Sequence, residues 1–189
     1  MPSGKLSDVV TVLCGVALVI SLTSNIGQLK RLVLPSTDLP AKRDALVNTS
    51  VPPLEVRDAG GAIRTLGVAK TAWKTVVYVY SPDCAWCVEN ASDVKFLAEH
   101  ASRTWRFVGV SLASGGVPDF MRQREVSFPM YGEPSAETRS AYRMGATPQT
   151  IVVSPAGKVE KDWYGAYRGS VRTDVEAYFG LRFPAGAPR

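Results

Sequence analysis

Cys84 and Cys87 stand three residues apart in a stretch, residues 76–90, that reads VVYVYSPDCAWCVEN. On a helix this spacing puts both sulfurs on one face, within the Cα separation of roughly 4.4–6.8 Å that a disulfide needs. A thiol at the first turn of a helix meets free backbone N–H groups and the positive end of the helix dipole, and both favour the thiolate. Cys84 takes that place. Cys87, one turn further in and more shielded, is set to attack a mixed disulfide formed by Cys84. The pair is a candidate dithiol/disulfide switch. Asp83 works against the thiolate and no Lys or Arg lies within the motif, so the expected lowering of the Cys84 pKa is moderate.

Other chemistry also uses two cysteines at this spacing: half a zinc site, a haem attachment or an inert structural disulfide. Haem attachment places His directly after the second Cys, where this chain has Val88. A zinc site requires four ligands, and the chain adds only Cys14, inside an apolar run, and a single His, His100. A static disulfide is the serious competitor at this point.

The elements that must hold the pair are legible on either side of it. Residues 76–80 (VVYVY) form a β-branched and aromatic run bounded by Ser81-Pro82, the pattern of a buried strand. Val88, Ala91, Val94, Leu97, Ala98 and Ala101 recur at helical spacing, so a helix with one apolar face follows to about residue 101. Residues 106–112 (RFVGVSL) read as a second buried strand, and one intervening helix makes the two strands a parallel βαβ pair.

Upstream, residues 9–29 carry no charge and centre on VVTVLCGVALVISL, the length and polarity of one membrane-spanning helix. No small-x-small cleavage site follows, so an uncleaved anchor is preferred to a signal peptide. Cys14 within it reads as an apolar filler. Lys5 flanks one side, and Lys30, Arg31, Lys42 and Arg43 flank the other, which on the positive-inside rule alone leaves the remainder of the chain in the cytoplasm. Residues 30–47 have linker composition. Alternation around Asp58-Ala59-Gly60-Gly61 predicts a β-hairpin. Downstream, a helix begins near Pro118, a short extended piece covers residues 128–131, and a helix over residues 135–144 stops at Gly145. A strand pair turns at residues 155–158, and an amphipathic terminal helix ends at Gly180.

The whole composition is that of a globular chain of 189 residues, 46% hydrophobic and 21% charged. The net charge of +5 is dispersed, with no basic run interleaved with aromatics, which argues against nucleic-acid binding.

A second informative dipeptide, Thr147-Pro148, precedes the strand that starts near Thr150. With this motif added, the chain resembles the membrane-anchored TlpA/ResA-type thiol-disulfide oxidoreductases of the thioredoxin-like superfamily. The resemblance rests on the anchor, the hairpin, strand-Cys84-Ala85-Trp86-Cys87-helix, and Gly145-Ala146-Thr147-Pro148-Gln149-Thr150 before the strand pair, and it covers roughly residues 48–180. It implies an α/β thioredoxin-like three-layer sandwich with a central mixed sheet and an extra N-terminal β-hairpin, preceded by one transmembrane helix. The domains are then an anchor over 1–29, a linker over 30–47, a thioredoxin-like domain over 48–182 and a flexible tail over 183–189.

The resemblance further implies that Cys84 and Cys87 are catalytic, that Pro148 is cis and packs against the disulfide, and that the backbone of Thr147 receives an extended substrate. Trp86 is a candidate rim for client docking. The implied partners are disulfide-bearing or dithiol client proteins and a membrane electron-transfer partner that recycles the pair, with no cofactor and no metal. The implied location is the cytoplasmic membrane with the domain on the extracytoplasmic, periplasmic side, against the flanking charges. Members often have Trp before the first Cys and Pro before the second, where this chain has Asp83 and Trp86, so the direction of exchange is open. The Ser81-Pro82-x-Cys84 form is also similar to the anchored thioredoxin-like accessory proteins of methylamine dehydrogenase maturation. The alternative is a non-catalytic client- or metal-binding module of the same fold, although copper chaperones of that fold usually carry Cys-x-x-x-Cys and a distal His. A peroxidase would need a threonine-containing peroxidatic site that this chain lacks.

Trp73, Trp105, Trp163 and Tyr164 read as core, His100 as a cap or solvent-facing group, and Glu89 and Lys95 as surface charges rather than proton relays.

Overall fold

The computed structural model describes residues 46–115 and 117–184. The expected anchor, Cys14 and all but the end of the expected linker lie outside these residues. No helix among the described residues is long and apolar enough to cross a membrane.

Strand β3 (Lys74–Tyr80) is the centre, with every residue after Lys74 buried. A strand covered on both faces needs apolar residues throughout rather than in alternation, as its sequence provides. Helix α1 (Ala85–His100) follows, and β4 (Trp105–Ser111) returns parallel to β3 over its whole length. Beyond β4 come α2 (Val117–Arg124), β5 (Met130–Gly132) and α3 (Ala136–Ala141). Strands β6 (Gln149–Val153) and β7 (Val159–Tyr164) precede α4 (Gly169–Phe179). The N-terminal hairpin is β1 (Leu54–Arg57) with β2 (Ile63–Leu66), antiparallel as expected.

The seven strands form one mixed sheet in the order β2-β1-β5-β4-β3-β6-β7. Alternate β3 residues feed two separate cores. Val76, Tyr78 and Tyr80 pack with Ala91, Val94 and Leu97 of α1, Phe120 of α2 and Val175 of α4. Val77 and Val79 pack on the opposite face with Ile151 and Val153, with Tyr142 beyond α3 and with Leu46. Each Val or Leu fully buried in these layers contributes roughly 1.5–3 kcal/mol.

The structure moves several expected boundaries. Leu46, placed in the linker, is 2% exposed in the second core, and Phe183, placed in the tail, is 6% exposed in the first. Helix α3 stops well before Gly145. Arg143 adopts φ +50°, its amide donates to the Ser140 carbonyl at 3.2 Å, and the Met144 amide donates to Arg139 at 2.9 Å. That double closure ends a helix without requiring glycine. Helix α4 ends conventionally on Gly180 at φ +67°. Trp73 is 39% exposed instead of core, because it precedes β3, and the Arg106 guanidinium lies 5.9 Å from its ring. Trp163 is buried, Trp105 packs against Tyr178 and Phe179, and Tyr164 is half-buried.

Candidate active site

The site forms where β3 ends. Ser81 to Cys84 make a turn closed by the Cys84 amide on the Ser81 carbonyl at 3.1 Å, with Pro82 in second place, where its fixed φ suits the turn. Cys84 is the residue that caps α1. Its Sγ accepts the Cys87 amide at 3.2 Å, the role that Ser or Asp usually plays at a helix start. No carboxylate stands in the first turn of α1 to compete for the dipole.

The two cysteines are free and their environments differ. Cys84 is half-buried and Cys87 is fully buried. Partial burial raises the Cys84 pKa, but hydrogen bonds from the Cys87 thiol, the Thr147 side chain and the Cys87 and Trp86 amides outweigh it, so the thiol lies below its ordinary value. Burial first, then the hydrogen bond and charge of Cys84, push Cys87 up to about 12. The first sulfur is therefore the one that ionises, and the second is held protonated beneath it.

Register brings in the other half of the site from 63 residues away. Strand β6 runs antiparallel to β3 with Val79 opposite Gln149, so residues 147 and 148 fall beside the end of β3. The Thr147–Pro148 peptide is cis, and Pro148 is buried. The Cys84 thiol donates to the Thr147 carbonyl at 3.6 Å. This contact suits only the protonated thiol and opposes the lowering effect of the Thr147 side chain. Cys84 thus meets both Cys87 and Thr147, Pro148 follows Thr147 through the cis bond, and Trp86 stands between the two cysteines in the chain.

Beneath and beside it lie residues that the sequence did not single out. The Tyr78 hydroxyl, 1% exposed, donates to the Cys87 carbonyl at 3.4 Å. Asn90, 1% exposed, accepts the Tyr167 amide at 2.8 Å. The Tyr167 hydroxyl in turn bonds the Thr150 hydroxyl at 2.8 Å. Asn90 left a signal: it is the one amide near the apolar face of α1, directly before Ala91. Tyr78 left a weaker one, sharing its strand face with Val76 and Tyr80. On the other sheet face, Gln149 Nε2 donates to Asp162 Oδ1 at 2.8 Å and to the Tyr164 hydroxyl at 2.9 Å. Burial holds the Asp162 carboxyl up at about 6 despite these bonds.

Glu89 pairs with Arg168, and Lys95 Nζ pairs with Glu125 at 2.8 Å, so both are engaged at the surface. His100 is exposed, stacks on Phe96 and contacts the Phe96 carbonyl through Nδ1 at 2.9 Å. Among the described residues no group of three or more His, Cys, Asp or Glu side chains is placed to hold a metal.

Residues 47–162 match the AhpC/TSA family, which is more than half of the chain. The chain belongs to the AhpC/TSA family. No curated protein matches it. Among solved structures, this AhpC/TSA member is similar to the thioredoxin domain of a thiol-disulfide oxidoreductase from Bacteroides vulgatus, at 17% identity and a TM-score of 0.57 over 70% of this chain and 97% of that one. It is similar also to a putative thiol:disulfide interchange protein DsbE from Chlorobium tepidum, at 18% identity and 0.56 over 69% and 93%. StoA from Bacillus subtilis matches at 20% identity and 0.51 over 62% and 92%. At these identities the likeness is one of fold, and the fold of this family member is thioredoxin-like.

Proposed function

We propose that this chain is a membrane-tethered thiol-disulfide oxidoreductase of the TlpA/ResA type that reduces disulfides in client proteins through Cys84 and Cys87. The observation that carries the reading is the asymmetry of the two thiols, one capping a helix and ionising readily, the other sealed in the core. In the forward direction the Cys84 thiolate attacks a client sulfur, the client disulfide breaks, and one client thiolate leaves. The Cys84 charge disappears in the mixed disulfide, which removes two of the influences that hold Cys87 protonated. Cys87 then loses its proton and attacks Cys84 Sγ. The second client thiolate leaves, and a Cys84–Cys87 disulfide carries the two electrons' worth of oxidation. A membrane electron-transfer partner returns the pair to the dithiol. The apolar run over residues 9–29 supports the tether, and the resemblance, against the flanking charges, supports a domain on the extracytoplasmic side of the cytoplasmic membrane.

The full chain with Cys87→Ser should hold clients as adducts that dithiothreitol releases. Equilibration of the parent chain with dithiothreitol should give a reduction potential below roughly −250 mV, in the range of thioredoxin-like reductants. A potential near the strong oxidants would reverse the direction of exchange. Failure to equilibrate at all, with no trapped client, would leave a client-binding module of the same fold.

A further inference from the structure

Trp86 is 51% exposed between the two cysteines, yet it is not a loose side chain. The guanidinium carbon of Arg168 lies 4.6 Å from its ring centroid. Arg168 in turn binds both carboxylate oxygens of Glu89, one through Nε and one through Nη2. Residues 86, 89 and 90 share one face of α1 at i, i+3 and i+4, and all three engage the segment at 167–168. Trp86 takes the guanidinium face, Glu89 its edge, and Asn90 the Tyr167 amide one residue earlier. Because Tyr167 is buried and its hydroxyl is bonded to Thr150, the backbone that presents Arg168 is anchored in the core.

We infer that Arg168 is a specificity-determining residue which, with Trp86, forms a rigid docking ledge beside Cys84 for protein clients. The inference rests on the disulfide-exchange reading above and deepens it. A planar guanidinium stacked on indole and forked onto a carboxylate loses little further freedom when a client binds, the condition under which contact area turns into affinity. The ledge offers two chemistries. The open part of the indole takes an apolar client side chain. The Arg168 Nη1 donors, which bond to nothing among the described residues, take an oxygen acceptor of the client chain. The occupant is therefore an extended client segment with an apolar side chain and a backbone or side-chain oxygen close to its cysteine. A small disulfide has no apolar side chain for the indole and no extended chain to lie along the ledge.

The test compares full-length parent, Arg168→Met, Arg168→Lys, Trp86→Ala and the Arg168→Met/Trp86→Ala double variant on insulin and on hydroxyethyl disulfide, with dithiothreitol as the reductant that restores the dithiol and its uncatalysed rate subtracted. For Arg168→Met the ratio of kcat/KM on insulin to that on hydroxyethyl disulfide should fall about five- to tenfold, with the loss carried by KM. Trp86→Ala should show the same split, and the double variant should lose less than the product of the two single losses, because each side chain positions the other. Arg168→Lys should stay impaired, since an ammonium keeps the charge without the plane or the fork. Equal losses on both substrates, full recovery in Arg168→Lys, or additive losses in the double variant would each overturn the ledge. A parent chain inert toward both disulfides would overturn the exchange reading and the ledge with it. A parent active on both, with Arg168→Met unchanged, would overturn the ledge alone.

Discussion

The rim of the site and its floor use similar groups under opposite conditions. At the rim, Cys84, Trp86, Glu89 and Arg168 are partly or largely open to water. On the floor, Cys87, Tyr78, Asn90 and Tyr167 are each no more than 3% exposed. Water can replace a partner lost at the rim, so the ion pair between Glu89 and Arg168 contributes little to stability and its value lies in orientation. A partner lost on the floor is not replaced, and the orphaned group bears its full desolvation cost. The comparison teaches that two thiols of identical chemistry, three residues apart, are pushed to opposite sides of the ordinary thiol pKa by solvent access and capping more than by neighbouring charge.

The sharpest way to break that comparison is alkylation across pH. Iodoacetamide should modify Cys84 with a midpoint below that of an ordinary thiol, and its rate should fall as pH drops through that midpoint. Cys87 is pushed up to about 12 beside Cys84, burial being the largest cause, and that burial persists in Cys84→Ser, so its modification there should still be much slower than that of Cys84 in the parent. The Cys84→Ser background leaves a hydroxyl in the capping place, so α1 still begins where it does. Comparable rates for the two thiols would show that burial and capping do not set them apart.

A smaller effect separates rim from floor by stability. Asn90→Ala leaves the buried Tyr167 amide without its acceptor and should cost about 1–3 kcal/mol in chemical denaturation, plus a contribution from the cavity. Glu89→Ala should cost less than about 1 kcal/mol in the same measurement. Similar costs would show that exposure does not set the energetics here.

The opposite face of the sheet extends the comparison to a carboxyl. Asp162 is raised in the fold to about 6, so its stabilising contribution is complete below the unfolded value of about 3.9 and is lost as pH rises through 6. Asp162→Asn, which mimics the protonated form and keeps an oxygen for Gln149, should therefore raise stability at pH 7–8. After allowance for partial exposure the gain should be about 1–2 kcal/mol. The advantage should shrink toward zero near pH 4, as read by thermal unfolding at several pH values. An advantage that does not vary with pH would assign it to packing instead.

The legible part of this molecule is local. Strand β3, helix α1, the parallel β4, the hairpin and the β6–β7 turn were readable because each has a hydrophobic period bounded by turn residues. The end of α3 was not, because Arg143 in a left-handed conformation closed the helix where the sequence suggested waiting for Gly145. Trp73 was misplaced in the core because aromatic character says nothing about which side of a strand boundary a residue lies on.

Among site residues, Cys84, Cys87, Trp86, Thr147 and Pro148 came from motifs, whereas Arg168 carried no mark that distinguished it from other surface arginines. By itself the sequence determined the order of strands and helices around the two cysteines, the helical-turn spacing of the sulfurs and the helix start that favours a thiolate at Cys84. These depend on backbone periodicity and nearest neighbours. Only the tertiary structure decided that Cys87 is sealed, that Thr147 reaches Cys84 across 63 residues, and that Arg168 lies on Trp86. Each of those depends on which surfaces exclude water and on strand register, and both arise from the packing of distant segments.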